Sequence, residues 1–233
     1  MIVIALALNQ STAGREEHLT KLREAFRKIL SLSVGIVDPT AHSYLLVLSA
    51  LLEGQFDNGA VVKPLLQKSI EMSAGLGDVS SVIFKIAMLA AQEDTAAQYE
   101  AAHIHYKESL ILAEQLPGPP KALNIFLRGR LARVEGILER HCVAREHYLK
   151  ALDECASCID AAEFVTALRA GLLDGLGELE RKLGNSDAAQ TRQDERKQVI
   201  EDGARYEEEQ GNHAAARRLR KLIVKNTDGA PLA

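Results

Sequence analysis

The chain has 233 residues, of which 47% are apolar and 26% charged, with a formal net charge of −4. That length can bury a sizeable core, and the balance excludes an intrinsically disordered chain. The small negative charge argues against a nucleic-acid binder driven by its global field. Tryptophan is absent and proline occurs six times, while alanine and leucine dominate. This is a helical composition, without the β-branched and aromatic alternation that strands need.

The opening run MIVIALAL is apolar but only eight residues long, with no basic residue before it. It is too short to span a bilayer and lacks the charged start of a secretory signal, so it is expected to pack as part of a first helix. No signal peptide or transmembrane segment is expected. The three cysteines, an odd number, point to the cytoplasm or another reducing intracellular compartment.

Further along, the chain repeats itself. A small or aliphatic residue is followed four positions later by a large one and three later by another: Leu22, Phe26 and Ile29, then Val62, Leu66 and Ser69. The pattern returns at Ala102, Tyr106 and Ser109 and again at Ala144, Tyr148 and Ala151, so the anchors lie 40, 40 and 42 residues apart. A fifth copy begins at Ala189, another 45 on. Twelve residues upstream of the anchors stand Ala50, Ala90, Ala132 and Gly177, small in every copy, as close helix approach requires. Downstream, Ser33, Ser73, Ala113 and Cys155 form one column, and Ile36, Leu76, Leu116 and Cys158 another. Helix breakers fall at matching places. Asp38-Pro39 pairs an N-cap with proline at the first helical position, Asp78 and Asp160 share its column, and PGPP at 117–120 fills it in the third copy.

Each unit is therefore two antiparallel helices of roughly 14–20 residues joined by a short turn. A single pair cannot bury its apolar faces, so neighbours must stack. Past residue 190 the pattern weakens, because the positions after Ala189 are Gln193 and Arg196. A long charged helix follows, ending near Gly211, and then HAAARRLRKLIV (213–224) as a polar terminal element that stops the stacking. Residues 226–233 are expected to be a disordered tail.

The Leu-small pair on the first helix and the small–large–small spacing on the second resemble the tetratricopeptide repeat. LGELERKLGNSDAA (176–189) carries the likeness most fully. The period is longer than the usual ~34 residues. The resemblance covers residues 1–225 and implies an all-α, right-handed α-solenoid of stacked antiparallel helix hairpins. The repeats would be 1–38, 39–78, 79–118, 119–160 and 161–209, with a capping helix at 212–225. Where the family has a large residue in each first helix, this chain has Glu53, Glu93, Glu135 and Glu180.

Several clusters invite a chemical reading. His103 and His105 would sit about 200° apart on a helix and cannot grip one ion from it. His105 aligns with His147, and His103 with Arg145, on faces turned away from the anchors. In CASC (155–158) both cysteines occupy columns of small or apolar residues and are expected in the core. The basic run ARRLRK (216–221) adjoins EEE (207–209) and has no interleaved aromatic, so it is expected to be a solvated face. No phosphate loop, dinucleotide turn, nucleophile elbow or HExxH is present. No enzymatic activity, cofactor or bound metal is expected.

In the family, the first helices line a concave surface that binds partner peptides. The resemblance places Tyr44, Phe84 and Phe126 in one groove-facing column, with Arg130 and Arg133 beside them, a set suited to protein recognition. The lysines and asparagines that hold a chaperone tail in some members are replaced by Gly129, Arg133, Ala87 and Ala91, so chaperone-tail binding is not expected. The expected function is a protein–protein interaction module (an adaptor, scaffold or complex subunit) binding an extended or helical, acidic segment of another protein. Nucleic-acid binding and membrane insertion are not expected. The alternatives are a purely structural subunit, a metal-binding helical protein using His103, His105, Cys142, Cys155 and Cys158, or a nucleic-acid- or membrane-associated protein using the C-terminal basic helix.

Overall fold

A computed structural model of the chain describes residues 12–33, 38–56, 58–118, 121–156 and 163–225. Among these, every regular element is an α-helix. In chain order they are α1 (Thr12–Ser33), α2 (Pro39–Gly54), α3 (Gly59–Gly75), α4 (Val79–Thr95), α5 (Tyr99–Glu114), α6 (Lys121–Ile137), α7 (His141–Ala156), α8 (Glu163–Lys182), α9 (Ser186–Glu209) and α10 (His213–Lys225). The apolar start, the tail at 226–233, Ile36, Cys158 and Asp160 lie outside the described residues.

The helix boundaries follow local chemistry. Asp38 accepts a hydrogen bond from the Ala41 amide and Asp78 one from the Ser81 amide, each satisfying an orphan donor at a helix start. The first helix of each hairpin ends in one recurring turn. The amide of Asn58, Gln98, Arg140 and Asn185 bonds back to the carbonyl of the glutamate five residues earlier, Glu53, Glu93, Glu135 and Glu180. That is the long bond of a Schellman motif. It needs a left-handed residue just before the donor, supplied by Ala97, Glu139 and Gly184 with φ of 57°, 61° and 79°.

The chain divides into two compact units, 1–112 and 113–233. In the first, Val47, Ala50, Val62, Leu66 and Leu89 form one buried cluster, and Leu19 and Leu52 with Phe26 another. In the second, Ile125, Ala132, Ala144, Tyr148 and Ala151 pack with Leu172, Leu176 and Leu179. Ala170, Ile200, Ala204, Ala216 and Leu219 tie α8, α9 and α10 together. Ala50, Val62, Leu66, Ala132, Ala144, Tyr148 and Ala151 are positions of the columns read from the sequence, and full burial of each leucine or isoleucine contributes about 1.5–3 kcal/mol. Ile29 departs from its column and is exposed. At Gly203 the small residue serves a close crossing: a Cβ there would lie 2.5 Å from the Thr166 methyl on α8.

The glutamate column is the main feature for which the sequence offered no partner. All four carboxylates are buried, and each meets a base from a neighbouring helix. Arg23 and Arg27 hold Glu53, Lys63 and His105 hold Glu93, His147 meets Glu135 and Arg145 holds Glu180. Asn58 and Asn185 add side-chain bonds to Glu53 and Glu180 at 2.8 and 2.7 Å. The same device recurs at the end of α9. Glu207 is buried, its carbonyl accepts from the Asn212 amide, and Gly211 between them has φ 79°. Its carboxylate takes the Asn212 side chain and the Glu163 amide at the start of α8. The turn from α9 to α10 is thus built like the turn inside each hairpin.

Candidate functional site

In the first unit, Tyr44 on α2 and Phe84 on α4 are 52% and 57% exposed. Beneath them lies a polar cluster inside an otherwise apolar layer. Lys85, beside Phe84 in sequence, is buried and donates to Ser43 Oγ at 2.6 Å and Ser73 Oγ at 2.5 Å. Its ammonium lies 5.3 Å from the centroid of the Tyr44 ring, so the exposed aromatic covers a buried cation. Lys85 makes no ion pair among the described residues, and burial holds its pKa below the usual lysine value.

In the second unit, Phe126 and Arg130 stand one turn apart on α6, and the guanidinium lies over the ring at 5.4 Å. Both line a cleft of about 310 Å³ between α6 and α8, together with Arg133. Glycines line both sides: Gly129 and Gly136 on α6, where Leu172 and Leu179 take the space of a side chain, and Gly171 and Gly175 on α8, of which Gly171 borders open space. The Tyr148 hydroxyl, from α7, forms part of the lining, so close to Gly175 that a Cβ there would collide with it. Burial raises the pKa of this phenol above its ordinary 10.0, so it is protonated at neutral pH.

The other clusters have structural partners. His105 Nδ1 lies 2.5 Å from Glu93 and His147 Nδ1 lies 3.0 Å from Glu135. Both imidazoles are half-buried against the preceding first helix, not turned away from the packing as the sequence columns suggested. The +12 spacing from each glutamate to its histidine, the same in both repeats, was the available signal. Arg128 is buried and bridges Glu114 and Glu154. Cys155 is buried in its column and Cys142 is exposed. Among the described residues no three His, Cys, Asp or Glu side chains group as metal ligands. In the basic run, Arg218 pairs with Glu163, and Arg220 with Glu208 and Glu201. Arg196, in an expected apolar position, is buried because it donates to the Leu222 carbonyl at 2.6 Å and so caps the end of α10. Among the described residues no helix is long and apolar enough to cross a membrane.

The arrangement of paired helices closed by short turns is shared with solved structures. BtubC from P. vanneervenii superposes with a TM-score of 0.62 at 14% identity, covering 96% of this chain and 95% of its own. The apo form of RapI gives 0.69 at 12% identity over 96% of each chain. The TPR-like repeats of a kinesin light chain from Podosopora anserina give 0.65 at 12%, over 84% of this chain and 92% of theirs. No family model matches the sequence, and no curated protein does. At these identities the likeness is one of fold. The chain is an all-α protein of tetratricopeptide-like helical repeats.

Proposed function

We propose that the chain is a protein-interaction module, serving as an adaptor, scaffold or complex subunit, whose first helices hold a segment of a partner protein. The observation that carries this is the state of one sequence column. Tyr44 and Phe84 stay more than half exposed among columns that are buried. At the third position of the column, Phe126 is stacked with Arg130. Exposed aromatics cost solubility unless something covers them, and aromatic residues with arginine dominate the energetic centres of protein interfaces. Arg130 and Arg133 suit an acidic segment. The fold itself favours the reading only by analogy.

The test is quantitative capture from the native source on immobilised protein, comparing wild type with the double variant Phe84→Ala, Phe126→Ala. Circular dichroism would verify unchanged helicity. The reading predicts that specific partners drop at least about ten-fold, since loss of two aromatic anchors at about 1–2 kcal/mol each suffices for that. Equal recovery on both surfaces contradicts the assignment.

A further inference from the structure

The cleft in the second unit lies where the aromatic column ends. In α2, α4 and α6 two positions four residues apart carry Tyr44 and Leu48, Phe84 and Met88, and Phe126 and Arg130. The equivalents in α8 are Gly171 and Gly175: the space beside Gly171 is open, and the Tyr148 hydroxyl reaches into the space beside Gly175. Its volume, about 310 Å³, accepts a side chain with its adjoining backbone.

The polar groups around the slot are unevenly matched. Tyr148 is only 5% exposed, yet its hydroxyl makes no hydrogen bond among the described residues. Its donor is therefore unused where the residue lines the cleft. Arg130 makes no ion pair among the described residues; its guanidinium rests on the Phe126 ring. Around the mouth Arg133 and Lys182 add positive charge, while Asp174 and Glu178 oppose it. Asp174 also faces the buried Arg196, with Nε 3.7 Å from Oδ1, and the lining holds three cations, Arg130, Arg133 and Lys182, against two carboxylates.

We infer that this cleft is a specificity pocket that takes an acidic side chain of the bound segment, its carboxylate accepting from the Tyr148 hydroxyl and the Arg130 guanidinium. The inference rests on the protein-binding reading and names the chemistry one of its sites selects. A neutral phenol and a guanidinium in one lining can each donate to a carboxylate oxygen, and the open space beside Gly171 admits the segment that carries it. An amide of the same shape would lose the charge-assisted part, and an ammonium would face the Arg130 guanidinium as a like charge.

A displayed library of random dodecapeptides selected on wild type, Tyr148→Phe and Arg130→Gln tests this. Both variants are conservative, and thermal melts would establish that they fold. The expected result is Asp or Glu enriched at one aligned position at least about five-fold over the unselected library on wild type, with that enrichment falling to the unselected level on either variant. Peptides selected without an acidic preference, or with a preference that both variants retain, overturn the pocket and leave the protein-binding reading standing. Failure of any peptide to be enriched on wild type counts against both.

Discussion

Arg23 of α1 grips Glu53 at the end of α2 with its Nε at 2.9 Å and its Nη2 at 2.6 Å. Thirty residues separate them. With Asn58 and Arg27 adding bonds, the Arg23 contact holds the buried Glu53 carboxyl down from 4.5 to about 2, against the opposing effect of burial. A carboxyl whose folded pKa is depressed stabilises above its unfolded value and loses that contribution as pH falls towards the folded one. The window is therefore about pH 4.5 down to 2, and the contribution at neutral pH is about 3 kcal/mol. Thermal melts of wild type and Glu53→Gln at pH 7 and pH 2.5 should show a large stability gap that closes in acid. A gap independent of pH would show that Glu53 acts by packing alone.

The recurring turn after each glutamate carries glycine at Gly184 and Gly211 but Ala97 and Glu139 at the same left-handed position. A side chain with a Cβ is disfavoured there by about 1–2 kcal/mol, of which glycine's extra freedom in the unfolded chain returns part. Ala97→Gly and Glu139→Gly should each stabilise by about 0.5–1 kcal/mol in urea unfolding, the reverse of what glycine does in a helix interior. Destabilisation by either would mean that the turn relaxes out of the left-handed region.

Lys85 is a buried cation contacted by hydroxyls and a ring, with the Asp78 carboxylate acting on it without an ion pair. Because burial lowers its folded pKa, the unfolded chain binds the proton more strongly, and stability rises with pH through the alkaline range up to the unfolded value of 10.5. Lys85→Met removes that cost, while Ser43 and Ser73 keep a hydrogen bond to each other at 3.2 Å. The variant should gain about 1 kcal/mol at pH 7 and lose the alkaline slope. A loss of similar size would show instead that the serines need the ammonium.

How much of this was legible depends on which interactions repeat. Apolar columns such as Val62, Ala102 and Ala144 show in the sequence because each copy keeps a small or aliphatic residue there, and all three are buried. The glutamate column also showed, but its partners did not, because they come from different helices and differ in kind: Arg23, Lys63, His147 and Arg145. Two regularities were nevertheless present. Arg23 to Glu53 and Lys63 to Glu93 are both 30 apart, and Glu93 to His105 and Glu135 to His147 are both 12. Lys85 and Arg128 break the pattern singly, so no periodicity announces that they are buried. The cleft was half visible: the resemblance singled out Phe126, Arg130 and Arg133, whereas Gly171 and Gly175 become informative only when aligned with them.

Whether the aromatic column of the first helices meets a partner can be read directly by site-specific photo-crosslinking. A benzophenone amino acid would replace Phe84 or Phe126 in turn, with the exposed Gln198 on α9 as the comparison site. A discrete crosslinked protein is expected from positions 84 and 126 in native extract and none from 198. Crosslinking equal at all three positions, or absent at 84 and 126 while present at 198, would mean that the aromatic column does not face a partner.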